Sequence, residues 1–237
     1  MEDLELIQLV SDLRIAVSQR HRFTTDSVLL AGFSAPKGKE AAAELCCGCG
    51  AALLLWFAGP QPAPRRAVGV DIDPAAVALL EHSIAQNGLS ARARALCADL
   101  RRPIPDEAPG SFDLVACNPP YFSLGKNIGA DAAARHETAV SIREVCRAAA
   151  RLLRFGGRFC VCYRPARLVD LFCAMRAAAI EPKRMLPVAQ RPGETPQLAL
   201  VEGRLGGGVQ LKLLAPAALE NPDGTPSDFY RQMYRMR

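Results

Sequence analysis

No stretch of this chain is long and apolar enough to span a bilayer. Its acidic start, Met1-Glu2-Asp3-Leu4-Glu5, lacks the basic residues and following apolar run of a secretory signal. The expected location is the cytoplasm, with no membrane partner. No Cys/His set at zinc-ligand spacing follows Cys46-Cys47-Gly48-Cys49. The nine cysteines are an odd number, and Cys97, Cys117, Cys160 and Cys162 sit inside apolar runs, where a reduced thiol behaves as a small hydrophobe. Neither a disulfide framework nor a metal site is therefore expected. Internal repeats and low-complexity domains are absent, and so is the full Gly-x-Gly-x-x-Gly fingerprint of dinucleotide sites. Lysine is scarce beside arginine, and the net charge of +5 suits a phosphate-rich partner without requiring one. What is present is 237 residues with 50% apolar content, enough for the core of one large domain and with no sign of a second catalytic one.

The chemistry concentrates at Asn118-Pro119-Pro120-Tyr121. Residues 114–117 form a short continuous apolar run, the pattern of a strand covered on both faces. Pro119 and Pro120 end it, donate no N–H and hold the residues before them extended, so the turn is stiff and presents carbonyls. The Asn118 side chain adds an acceptor and Tyr121 a flat ring, a set suited to a planar group bearing an NH2. An ordinary strand-ending turn uses the same residue types, so the meaning depends on the upstream chain.

Taken in order, residues 13–17 read as a short strand. Thr24-Thr25-Asp26 then precedes an apolar run and reads as the capped start of a helix with open N–H groups. Residues 41–46 read as the first central strand, 47–50 as a small-residue turn and 51–57 as a helix, the cradle of doubly wound sheets. A second strand, 66–73, places Asp71 roughly 20 residues beyond the glycines, where a carboxylate binds ribose hydroxyls. Pro74 opens a helix stopped by Gly88, and a third strand, 91–98, ends at Asp99. Four successive strand ends thus carry Glu44, Asp71, Asp99 and Asn118, at the edge where open parallel sheets bind ligands. Beyond them, 122–134 reads as a loop over the pocket. A helix is expected over 139–155, capped by Thr138 and ended by Gly156-Gly157. A strand over 158–163, a helix over 168–179 and a hairpin of 185–189 with 198–204 follow.

This pattern resembles the class I S-adenosylmethionine-dependent methyltransferases. The resemblance implies an α/β, Rossmann-like fold with a mostly parallel seven-stranded sheet and helices on both faces. It also implies S-adenosyl-L-methionine as cofactor. Residue by residue, it places Glu44 on the methionine amino side, Gly48 and Gly50 under the nucleoside, Asp71 on the ribose, Ile72 against the cofactor adenine, and Asp99 beside Leu100 on its amino group. Cys46 departs from the family's first glycine. Asn-Pro-Pro-Tyr marks members that methylate an amino nitrogen in a planar system, with Asn118, Pro119, Pro120 and Tyr121 as the catalytic set.

A narrower similarity joins Gln19, the run from Phe23 through Thr25-Asp26 to Leu30, Asn118 to Phe122, Ala134-Arg135-His136-Glu137 and the terminal Tyr230 and Tyr234. Together these resemble the bacterial valine-tRNA adenine-N6 methyltransferases. The resemblance implies that Phe23, Thr25 and Asp26 close the methionine end of the cofactor, and that Tyr121, Phe122 and His136 face substrate. It further implies a tRNA partner. The sequence shows no obligate protein partner and does not fix the oligomeric state, of which a monomer is the favoured expectation. One domain is expected over 1–237, with residues 1–40 packing over the cofactor site and 41–237 as the core. Protein-glutamine methyltransferases share Asn-Pro-Pro-Tyr but carry a sizeable helical domain before the glycine turn, where only about forty residues stand here. Adenine methylation in another RNA or in DNA, and a non-catalytic RNA-binding module, are the remaining alternatives.

Overall fold

The computed structural model describes residues 4–10, 13–58, 62–120 and 140–234. Its frame is the alternation anticipated from the apolar runs: β3 (Ala41–Leu45), α2 (Ala51–Leu55), β4 (Arg66–Asp71), α3 (Pro74–Gln86), β5 (Ala93–Cys97) and β6 (Phe112–Cys117). Then come α4 (Ile142–Leu152), β7 (Leu153–Tyr163), α5 (Leu168–Ala177), β8 (Ile180–Ala189) and β9 (Leu198–Leu205). The sheet order is β5-β4-β3-β6-β7-β9-β8, with β3 to β7 mutually parallel and β9 antiparallel to both neighbours. These are the seven expected strands. Two two-residue strands, β10 (Lys212–Leu213) and β11 (Ala217–Ala218), add to the β8 edge.

Period-two alternation divides each strand between two cores. Ala42, Leu114, Ala116, Cys160, Cys162 and Leu200 face one, built with α1 (Thr25–Ser34), α2 and α3. Ala41, Ala43, Val115, Cys117, Phe159 and Val161 face the other, built with α4 and α5. The buried cysteines are packing residues, and all nine are free thiols. Ahead of this frame, β1 (Glu5–Val10) and β2 (Leu13–Val17) form a separate antiparallel hairpin. β2 is fastened to α3 because the N–H of Ala16 donates to Ser83 Oγ (2.8 Å) and that of Arg14 to Asn87 Oδ1 (2.9 Å).

Three expected elements have different bounds. The helix expected over 139–155 runs only from Ile142 to Leu152, and its cap is Ser141, reciprocated by Glu144 in a capping box. Thr138 lies outside the described residues. β7 begins at Leu153, ahead of Gly156-Gly157, because Leu153 is buried opposite Phe112 and Gly156 supplies the turn with φ 75°. The strand expected over 185–189 starts at Ile180. Pro182 and Pro187 disguise it, and a register shift between Pro182 and Arg184 accommodates the former.

The C-terminal end of α1 is held by cations. Arg184 donates to the Phe33 carbonyl (2.9 Å), and Arg158 to the Ser34 carbonyl (2.8 Å) while pairing with Glu40 and Glu202. At its other end the terminal helix α6 (Asp228–Met233) lies against it, and the Tyr234 hydroxyl donates to Thr25 Oγ1 (3.0 Å).

Candidate active site

Because β3, β4, β5 and β6 are parallel, their carboxyl ends share one edge of the sheet. A cavity of about 370 Å³ opens there. It gathers Cys46, Gly48, Asp71, Ile72, Asp99, Leu100, Asn118 and Pro120 from the anticipated set, contributed by four different strand ends. Val70, Ala76, Ala98 and Val140 complete an apolar wall, and His21 and Asp73 join the polar side.

Asp71 is the organising carboxylate. Its Oδ2 accepts from the N–H of Gly48 (2.8 Å) and its Oδ1 from that of Asp73 (3.0 Å), which ties the glycine turn to the end of β4. Each oxygen keeps acceptor capacity for a ligand. Asp73 in turn caps α3, its Oδ1 accepting from the N–H of Ala75 (2.9 Å). Gly48 has φ 53°, and a Cβ there would meet nothing within 4 Å, so the turn leaves open space above its backbone. Gly50 has a different task from the one expected. Its φ is 81°, and a Cβ would strike Leu80, so its missing side chain lets α3 pack on the turn, away from the cavity lining.

Cys46 stands where the family pattern has glycine and adopts φ 52°, a left-handed conformation costly to any residue with a Cβ. The turn therefore carries backbone strain at this residue. Cys46→Gly is expected to keep full stability. It relieves roughly 1–2 kcal/mol of left-handed strain against about 0.5–1 kcal/mol of added chain entropy. The β-branched Cys46→Val should lose about 1–3 kcal/mol. Urea unfolding of the three proteins checks the order.

Glu44 departs from its expected role, since it does not line the cavity. It is 2% exposed, and its Oε2 accepts from the N–H of Leu53 (2.8 Å), closing the first turn of α2. Burial pushes its carboxyl up to about 8, a rise opposed by the Leu53 N–H and reinforced by Asp71. An unfolded glutamate titrates at 4.5, so between that pH and about 8 the folded chain binds more protons and its stability falls as pH rises. Between pH 5.5 and 8.5 the chain is expected to lose on the order of 3 kcal/mol. Glu44→Gln, which still offers Leu53 an acceptor, should not show this loss. Denaturant titrations at pH 5.5 and 8.5 test this, and an equal pH dependence in both proteins would contradict it.

Asp99 is gripped by Arg101, whose Nε lies 2.9 Å from both oxygens and whose backbone N–H also donates to Oδ1 (2.9 Å). These bonds hold the Asp99 carboxyl below the usual carboxylate range. Any ligand amine it accepts competes with that guanidinium. The Nδ2 of Asn118 donates to the hydroxyl of Ser27 on α1 (3.4 Å). Ser27 was not singled out from sequence, since one serine in an apolar helix carries no signal until the helix is docked beside β6.

The remaining expected residues lie elsewhere. Phe23 packs against the core between α1 and the sheet, Thr25 accepts from Tyr234, and neither they nor Asp26, Pro119 and Gly50 line the cavity. Tyr121, Phe122 and His136 fall outside the described residues. No group of three or more candidate metal ligands occurs among the described residues.

Residues 42–157 match the sequence profile of a methyltransferase domain. The tRNA1(Val) (adenine(37)-N6)-methyltransferase of Bacteroides thetaiotaomicron is 27% identical over 183 residues, 75% of this chain and 74% of that protein. The protein of the same name from Shewanella loihica is 29% identical over 183 residues, again 75% and 74%. Among solved structures, one described as a predicted O-methyltransferase from Agrobacterium tumefaciens superposes with a TM-score of 0.72, covering 89% of this chain and 95% of that one. At 20% identity it speaks to the fold alone. Residues 42–157 are thus a methyltransferase domain on a Rossmann-like sheet, and the chain is an S-adenosylmethionine-dependent methyltransferase.

Proposed function

We propose that this enzyme methylates the exocyclic N6 of an adenine in tRNA, of the valine anticodon-loop type. The observation that carries the reading is Asn118 at the end of β6, lining the cavity while its amide nitrogen is spent on Ser27. In this reading its amide carbonyl is the acceptor for a substrate amine. The names of the similar proteins favour adenine in tRNA over a glutamine side chain.

The cavity suits the cofactor in its chemistry. Asp71, Asp73 and Asp99 give it an acidic wall for a ligand that bears a sulfonium and an amino group. Ile72 is 44% exposed, an uncovered apolar face for a purine ring. Asp71 accepts the ribose hydroxyls, and Gly48 lets the nucleoside approach the backbone. Bound there, S-adenosylmethionine supplies an electrophilic methyl group.

The chain's own part is orientation and charge. The amine of adenine is a poor nucleophile because its lone pair is delocalised into the ring. Accepting its two N–H groups at the Asn118 side chain and the Pro119 carbonyl favours a pyramidal nitrogen and aims the lone pair at the methyl. No base is required before attack. Pro119 and Pro120 fix these acceptors without offering a competing donor. The base must leave its stack to reach them. One domain over 1–237, with its first forty residues closing the cofactor site, belongs to the same reading. So does a cytoplasmic monomer with tRNA as its partner. Transfer of labelled methyl into RNA, recovered as N6-methyladenosine, tests the proposal.

A further inference from the structure

The N-terminal hairpin delivers one polar side chain into the cavity that neither the fold nor the proposed chemistry has used. After β2, residues 18–21 form a tight turn in which Ser18 N–H donates to the His21 carbonyl (3.1 Å) and His21 N–H donates to Ser18 Oγ (3.1 Å). With β2 bonded to α3 upstream, the turn places the His21 imidazole on the cavity wall beside Asp71 and Asp73. The side chain is 16% exposed, and its Nε2 is buried without a hydrogen-bond partner among the described residues. Asp73 Oδ2 is 3.3 Å away but makes no hydrogen bond with it, and Asp73 Oδ1 is committed to the cap of α3. A buried nitrogen in that condition is costly, and native structures usually provide it a partner.

We infer that His21 is a cofactor-binding residue whose Nε2 exchanges a hydrogen bond with a ribose hydroxyl of the nucleoside. The inference rests on the placement of the ribose at Asp71 proposed above. The N–H of Asp73 donates to Asp71 Oδ1 (3.0 Å), so a hydroxyl on Asp71 comes within the neighbourhood of the Asp73 and His21 pair. A hydroxyl both donates and accepts, so it satisfies the imidazole in either tautomer. The same contact makes the N-terminal hairpin a wall of the nucleoside pocket, although it lies outside the main sheet.

The test is calorimetric binding of S-adenosylhomocysteine, and of an analogue lacking both ribose hydroxyls, to the full chain and to His21→Phe, His21→Asn and Asp71→Asn. His21→Phe keeps ring volume and removes the nitrogen. It should weaken S-adenosylhomocysteine about tenfold or more, with little further effect on the analogue. His21→Asn should recover part of the loss. The ligand-free melting temperature of His21→Phe should be little changed, because the Asp73 contact it removes lacks hydrogen-bond geometry. Equal loss for both ligands with a lower ligand-free melting temperature would mean a structural role and overturn the inference. If Asp71→Asn weakens binding and His21→Phe does not, the assignment of His21 falls alone. If neither does, the ribose placement falls with it.

Discussion

Asn118→Ala is expected to leave S-adenosylmethionine affinity within a few-fold while slowing single-turnover methyl transfer by about 100-fold or more. Asn118 is one residue of a wall to which three other strand ends contribute, so the cofactor keeps most of its contacts. The target amine keeps only the Pro119 carbonyl. Losing a positioned acceptor in the transition state, with the geometry it enforces, commonly costs roughly 3 kcal/mol or more. Loss of the bond to Ser27 frees one hydroxyl on a helix already fixed at both ends by Arg158, Arg184 and Tyr234, so the fold should survive. Rapid-quench measurement with saturating cofactor separates the two quantities. Turnover close to the parent's would remove Asn118 from the chemistry.

The second large effect is expected at Asp71. Its carboxylate already orders the turn through Gly48 and Asp73, and in the proposed complex it accepts two ribose hydroxyls as well. Charge-assisted hydrogen bonds are worth roughly 1.5–3 kcal/mol each. Asp71→Ala should therefore weaken the cofactor by about 100-fold or more. The strand itself is held by Val68 and Val70, both buried, so the variant should remain folded. Calorimetry on a variant with an intact unfolding transition decides the matter, and unchanged affinity would place the ribose elsewhere.

What could be read from the sequence follows from how local each signal is. Apolar runs closed by Gly, Asp or Pro marked the central parallel strands because β3, β4 and β6 are buried on both faces. Asp71, Gly48 and Asn118 line the cavity because their position at a strand end fixes their position along its edge. Glu44 was misplaced by the same rule. Ala42 and Glu44 share a face of β3, which turns the carboxylate toward α2, and that alternation was available in the sequence. The Ser141-x-x-Glu144 box was equally available and outranks Thr138 as a helix start. His21 and Ser27 were not available. His21 reaches the cavity and Ser27 reaches Asn118 only because a hairpin docks on α3 and a helix docks beside β6, and nothing local announces either contact.

The central claim is that the transferred methyl ends on an adenine amine in tRNA. It is tested most directly by incubating the enzyme with labelled S-adenosylmethionine and, in parallel, total tRNA and total protein, then digesting each to nucleosides or amino acids. The account predicts label in RNA as N6-methyladenosine, lost with Asn118→Ala. Label found only in protein, as methylglutamine, would contradict it.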